Sequence, residues 1–178
     1  MGMNHAGEIR ALTRIARPEA AVITLIGPAH LEFFDSVDGI ADAKAEIFEG
    51  LTPDGVAVIN ADDRYAPRLA AAARAAGARR ILRFGAAAEA DIRLTARAED
   101  ADGARLRFEI GGRSLTARLP LAGAHNAANA AAALAAVAAL GLDPESALPG
   151  VAGLRPLPGR GATETLALRG GGSLLLID

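Results

Sequence analysis

The chain has 178 residues, is 51% hydrophobic and carries a formal net charge of −2 from 19 basic and 21 acidic side chains. That length suits one domain, or one domain plus a small fragment, and the charge balance argues against a polyanion-binding surface, so no nucleic acid partner is expected. The chain has no cysteine, which excludes disulfides and thiolate metal sites.

In chain order, Glu8–Arg17 places Ile9, Leu12 and Ile15–Ala16 at helical spacing, which predicts a helix with those residues on its buried face; Pro18 stops it. Ala20–Ile26 (AAVITLI) is a continuous apolar run with β-branched residues, the pattern of a parallel strand covered on both faces. A helix is expected over Val37–Gly50, capped by Asp35 or Ser36 and closed by Gly50. Val56–Asn60 (VAVIN) reads as a second buried strand. Asp62 or Asp63 then starts a helix that runs to Gly77, and Arg80–Phe84 is a third strand. Strands alternating with helices through short connections indicate a parallel sheet wrapped by helices.

The pattern then changes. Asp91–Ala98, Ala104–Ile110 and Ser114–Leu119 alternate apolar and polar residues around the turn pairs Asp102–Gly103 and Gly111–Gly112. This predicts an antiparallel three-stranded meander. Asn126–Leu140 is a helix closed by Gly141, and a short helix around Pro144–Gly150 has Asp143 as its cap. Leu174–Ile177 (LLLI) reads as a last buried strand. The expected fold is α/β: a mostly parallel Rossmann-like sheet flanked by helices, with a small antiparallel three-stranded sheet. The alanine-rich stretch Ala127–Leu140 is too short and too weakly hydrophobic to span a bilayer, and MGMNHAGEIR lacks the layout of a signal peptide. A cytoplasmic protein without membrane insertion is expected.

Five constellations can carry chemistry. In GMNHAGEI, Gly2 permits close backbone approach, and Asn4 and His5 place polar side chains before a helix; the plain alternative is that Asn4 caps that helix. In GPAHLEFFDS, His30 and Glu32 follow a strand at the carboxyl edge, where open α/β sheets bind ligands; the alternative is a solvated loop. In DAKAEIFEG, Lys44 reads either as a surface lysine balanced by Glu46 and Glu49 or as a modified residue. A carbamate formed from CO₂ would turn that cation into an anionic oxygen donor. In GAHNAANAAAALAAV, Asn126 and Asn129 share one side of a helix's first turn, where an amide can match the adjacent donor and acceptor of adenine. Two asparagines and His125 exceed what capping needs. In PLPGRG, a rigid loop holds Arg160, which suits phosphate or ribose. No GxxxxGK[ST] occurs in the chain.

Jointly, GMNHAGEI, GPAHLE with AKAEIFEGL, VINADD, GAHNAANAAAAL and PGR stand in the order and approximate spacing of the Mur ligase family. The chain resembles that family's central, ATP-binding domain over nearly its whole length, and GMNH-GEI with AK-EIF-GL and NADD is most similar to the branch that adds D-alanyl-D-alanine. The resemblance implies an ATP- and Mg²⁺-dependent amide ligase of peptidoglycan synthesis, with UDP-N-acetylmuramoyl-tripeptide and D-alanyl-D-alanine as partners of the full-length parent. It implies that His30 lies near the second Mg²⁺ and that Lys44, as a carbamate, is a metal ligand. It also implies that Asn129 contacts adenine with Asn126 beside it, that Arg160 lies near the nucleotide, and that Asn4 and His5 face the substrate. The family's P-loop, the magnesium-binding glutamate before Met1, the ribose-contacting aspartate after Asp178 and the two outer domains have no counterpart in these residues. The chain is therefore read as a fragment, truncated at both ends, monomeric and inactive alone. The alternatives are another Mur ligase, a folylpolyglutamate synthase-like amide ligase, or a non-catalytic nucleotide-binding module.

Overall fold

Val56–Asn60 becomes strand β2, buried at every position, between β1 (Ala20–Ile23) and β3 (Arg80–Gly85), to which it pairs in parallel. The computed structural model describes residues 1–28, 32–155, 163–168 and 170–177. Successive residues of β2 point to opposite faces, as the period of two demands. Ala57 and Ile59 join Ala21, Ile23, Phe48, Leu69 and Ala73 under α2 (Val37–Ala45) and α3 (Ala66–Ala75). Val56 and Val58 join Leu82 and Phe84 under α4 (Ala124–Ala139). The result is a three-layer α/β/α arrangement with a core on each face of the sheet. Alanines line the buried side of α4 at 127, 130, 131, 132 and 135, so the helix lies close on the sheet. The fully buried Phe48, Phe84 and Phe108 each contribute roughly 1.5–3 kcal/mol of burial.

The meander of β4 (Ile92–Asp100), β5 (Gly103–Ile110) and β6 (Arg113–Leu119) extends this same sheet, giving six strands in the order β1-β2-β3-β4-β5-β6. Only Phe84↔Ile92 and Gly85↔Arg93 join β3 to β4. The small antiparallel unit of the expectation is thus one flank of a continuous sheet. Its alternation held in detail: Ala104, Leu106, Phe108 and Ile110 face α4 while Arg105, Arg107 and Glu109 are exposed.

Several local expectations are corrected. α1 (Glu8–Ala16) buries Ile9 and Thr13, whereas Leu12 is 43% and Ile15 82% exposed. Its contact line on the 3-10 turn Glu46–Gly50 follows i, i+4, and Leu12 and Ile15 both fall to one side of that line, turned progressively away from the turn. β1 stops at Ile23, not Ile26, where Asn60 at the end of β2 and Asp63 in the turn after it take backbone groups of Thr24 and Ile26. Neither Asp62 nor Asp63 caps α3, whose N-cap is Tyr65 and makes no side-chain capping bond. Ser36 does cap α2, accepting from Gly39 N at 3.2 Å. The LLLI run lies in β8 (Ser173–Ile177), paired antiparallel with β7 (Thr163–Ala167) in a separate two-stranded sheet. Leu174 is 48% exposed there, since a two-stranded hairpin offers no layer on both faces.

Candidate functional site

The carboxyl ends of the three parallel strands are tied together by the segment Asn60–Asp63. Asn60 Nδ2 donates to Thr24 O at 2.9 Å, and its Oδ1 accepts from Asp62 N at 2.9 Å. Asp62 accepts from Ala86 N and Ala87 N beyond β3. The buried Asp63 accepts from Ile26 N at 2.6 Å and Tyr65 N at 2.9 Å. These carboxylates satisfy backbone amides that no ladder reaches, so the loops at the sheet rim are held from three strands at once.

Lys44 comes to this rim from the last turn of α2. It is half-buried, and its ammonium donates to Leu25 O at 2.9 Å. Burial lowers its pKa, and the nearby Asp63 charge opposes that shift. Glu46 and Glu49 do not balance it: both turn to α1, Glu49 to Arg10 and Arg14, Glu46 to Arg10 and the amides of Gly7 and Arg10. The pairing of Lys44 with Glu46 and Glu49 that a surface lysine would have is therefore not formed. Lys44 lines a cavity of about 320 Å³ together with Met1, Gly2, Met3, Thr24 and Leu25.

The loop before α1 thus shares that cavity with Lys44 through Gly2 and Met3. Asn4 and His5 are exposed. Asn4 does not cap α1; Glu8 instead accepts from Asn4 N at 2.7 Å and His5 N at 3.2 Å, and these amides, Asn4 foremost, hold its carboxyl below the usual range. The His5 ring stands 5.2 Å from that of Phe33.

At the opening of α4, Gly123 takes φ +102, and a side chain there would lie 2.8 Å from the His125 ring. Both conditions favour glycine. Glu99 accepts from Gly123 N at 2.9 Å and pairs with Arg97. Neither asparagine caps the helix: Asn126 Nδ2 donates back to Ala122 O at 2.7 Å, and Asn129 is exposed. The Lys44 cavity is lined by neither. His30 and Arg160 lie outside the described residues.

The model of the Mur ligase middle domain matches residues 1–137. The chain belongs to that family. The curated UDP-N-acetylmuramoyl-tripeptide–D-alanyl-D-alanine ligase of Escherichia coli is 37% identical over 161 residues, 90% of this chain and 35% of that protein. The crystal structure of MurF from Acinetobacter baumannii superposes with a TM-score of 0.88 at 33% identity, covering 100% of this chain and 37% of that one. MurF ligase from Thermotoga maritima in complex with ADP gives 0.74 at 28% identity, covering 89% and 36%. This Mur ligase middle domain thus spans little more than a third of the relatives it matches.

Three acceptors for distant backbone amides are not identified by the sequence: Glu46 at the start of α1, and Asp62 and Asp63 at the rim. Glu46 did leave a signal, since a carboxylate stands among Ala43, Ala45 and Phe48 on a buried stretch, where an acid needs partners.

Proposed function

We propose that this Mur ligase middle domain is the nucleotide-binding portion of an ATP-dependent ligase that joins D-alanyl-D-alanine to UDP-N-acetylmuramoyl-tripeptide in peptidoglycan synthesis. The observation that carries the reading is Lys44: a half-buried amine drawn to the carboxyl rim of a parallel sheet, beside the Gly2–Met3 loop, with a pKa lowered by burial. In such α/β sheets ligands bind at that rim.

In this reading the γ-phosphoryl of ATP passes to the tripeptide's terminal carboxylate, giving an acyl phosphate and ADP. The amine of D-alanyl-D-alanine attacks the acyl carbon, and phosphate leaves as the amide forms. Asn129, exposed on the first turns of α4, offers an amide to adenine, and Asn126 supports the turn through Ala122. Arg160 and His30 are assigned to the nucleotide and the metal, and Asn4 and His5 to the substrate side.

Mg²⁺ would supply charge neutralisation on the phosphates. Among the described residues no three His, Asp or Glu side chains converge to hold a metal, and Lys44 as an ammonium repels one. The fit requires Lys44 as a carbamate, whose oxygens suit Mg²⁺.

The test is the full-length ligase that contains this segment. Phosphate release should require ATP, UDP-N-acetylmuramoyl-tripeptide and D-alanyl-D-alanine together. Release with another amino acceptor, and none with D-alanyl-D-alanine, would assign it to a different ligase.

A further inference from the structure

Glu46 is a carboxylate only 6% exposed. Its Oε1 and Oε2 accept from Gly7 N at 2.8 and 3.0 Å, Oε2 accepts from Arg10 N at 3.1 Å, and the Arg10 guanidinium lies 3.4 Å away. These donors are 36 and 39 residues distant in sequence. They are the free amides that begin α1, a helix with no side-chain cap of its own. A buried carboxylate at this end also complements the helix dipole.

Two further facts give the contact a direction. Glu46 stands two residues after Lys44, in the turn that continues α2. Glu8, in the first turn of α1, reaches back to Asn4 N and His5 N. Lys44 and the Asn4–His5 loop are thereby joined through two carboxylates in series. We infer that Glu46, with Glu8, is a positioning residue of the ligase site: it sets the register of the Asn4–His5 loop against Lys44. The inference rests on the ligase reading above, in which both ends belong to one site.

The test uses the full-length ligase containing this segment, with three variants. Glu46→Gln places an amide donor against amide donors and is expected to lower kcat on the order of 10–100-fold, as misplacement of a reacting group by about an ångström does, while the KM for ATP stays within twofold. Glu8→Ala, at an exposed position, is expected to lower kcat several-fold with little change in melting temperature. Thr13→Val removes a bond from Thr13 Oγ1 to Ile47 O of 2.7 Å in the same helix contact, lowering melting temperature with kcat retained. An active wild type with Glu46→Gln or Glu8→Ala at wild-type kcat overturns the inference, and Glu8→Ala decides it if Glu46→Gln does not fold. An inactive wild type overturns the ligase reading itself.

Discussion

Lys44 and Asp63 hold neighbouring residues of one backbone stretch from opposite sides: the ammonium donates to Leu25 O at 2.9 Å, and the carboxylate accepts from Ile26 N at 2.6 Å. Burial disfavours the ammonium and lowers the Lys44 pKa, while the Asp63 charge favours it. The neutral amine, the form that adds CO₂, is therefore populated at lower pH in the fold than in the unfolded chain. The same shift makes Lys44 cost stability near neutrality, a cost that disappears as pH rises through its folded and then its unfolded pKa. In ¹³C-bicarbonate, NMR of the protein should show a carbamate carbonyl that Lys44→Arg removes and that fades on acidification. A spectrum without that resonance across the alkaline range would refute the modification.

Asp62 and Asp63 stand side by side, yet their substitution should differ sharply. Asp63 is 7% exposed and serves Ile26 N and Tyr65 N. Asp63→Asn turns an NH₂ toward one of those amides and leaves a buried donor unmatched, at a cost of about 1–3 kcal/mol. Asp62 serves Ala86 N and Ala87 N at an exposed position, where water replaces a lost acceptor, so Asp62→Asn should cost under about 1 kcal/mol. Urea midpoints of the two variants check the order; equal losses would contradict it.

The contrast shows which parts of this molecule were legible in its sequence. AAVITLI, as far as Ile23, and VAVIN declared themselves as strands because burial on both faces leaves a continuous apolar run; RILRF, with Arg80 exposed and Arg83 half-buried, followed from the alternation of strands with helices; and the meander did so because burial on one face leaves an alternation. The acceptors for loop amides were not legible. Every residue but proline offers the same N–H, so nothing at Gly7 or Ile26 marks it as the partner of Glu46 or Asp63. Leu12 and Ile15 misled for a related reason: helical spacing identifies an apolar face but not the contact line, which here runs through Ile9 and Thr13. At the site, GMNH, AK and GAHNAAN pointed to residues at the rim and at a helix start, but the geometry joining Lys44 to Leu25 depends on how α2 lies on the sheet.

Gly50 illustrates a contact that is long in sequence and short in space. A Cβ at this position would lie 2.3 Å from Thr13 O and 2.4 Å from Thr13 Oγ1. The obstruction is helix backbone, so a side chain can be accommodated only by moving α1 off the 3-10 turn. Gly50→Ala should destabilise by about 1–3 kcal/mol, the usual cost of overpacking, and should weaken the Glu46 contacts that begin α1. Hydrogen exchange at Gly7 and Arg10 amides reads this directly: faster exchange is expected, and unchanged protection would mean that the helix does not move.

At the far end of the meander, Arg118 grips Asp100 through both guanidinium nitrogens at 2.5 and 2.6 Å. This pair, aided by Asp102 N, lowers the Asp100 pKa from 3.8 to about 2. A carboxylate with a depressed folded pKa stabilises the fold above its unfolded value and loses that contribution as pH falls through the folded one. Asp100 should accordingly titrate by NMR near pH 2 in the wild type and move back toward the ordinary value in Arg118→Ala, where the Asp102 amide still lowers it. Indistinguishable titrations would show the pair to be open in solution, as exposed ion pairs often are.

Asn129 separates function from fold most cleanly. It is exposed in the second turn of α4 and caps nothing. Asparagine is a weaker helix former than alanine, so Asn129→Ala should leave stability unchanged or raise it by about 0.5 kcal/mol. If the amide meets adenine, the same change should raise the KM of the full-length ligase for ATP about tenfold, the equivalent of one hydrogen-bonded contact. A residue that improves the helix when removed, and worsens nucleotide binding, is held there by the ligand rather than by packing. A variant with an unaltered KM would return Asn129 to the solvated face of its helix.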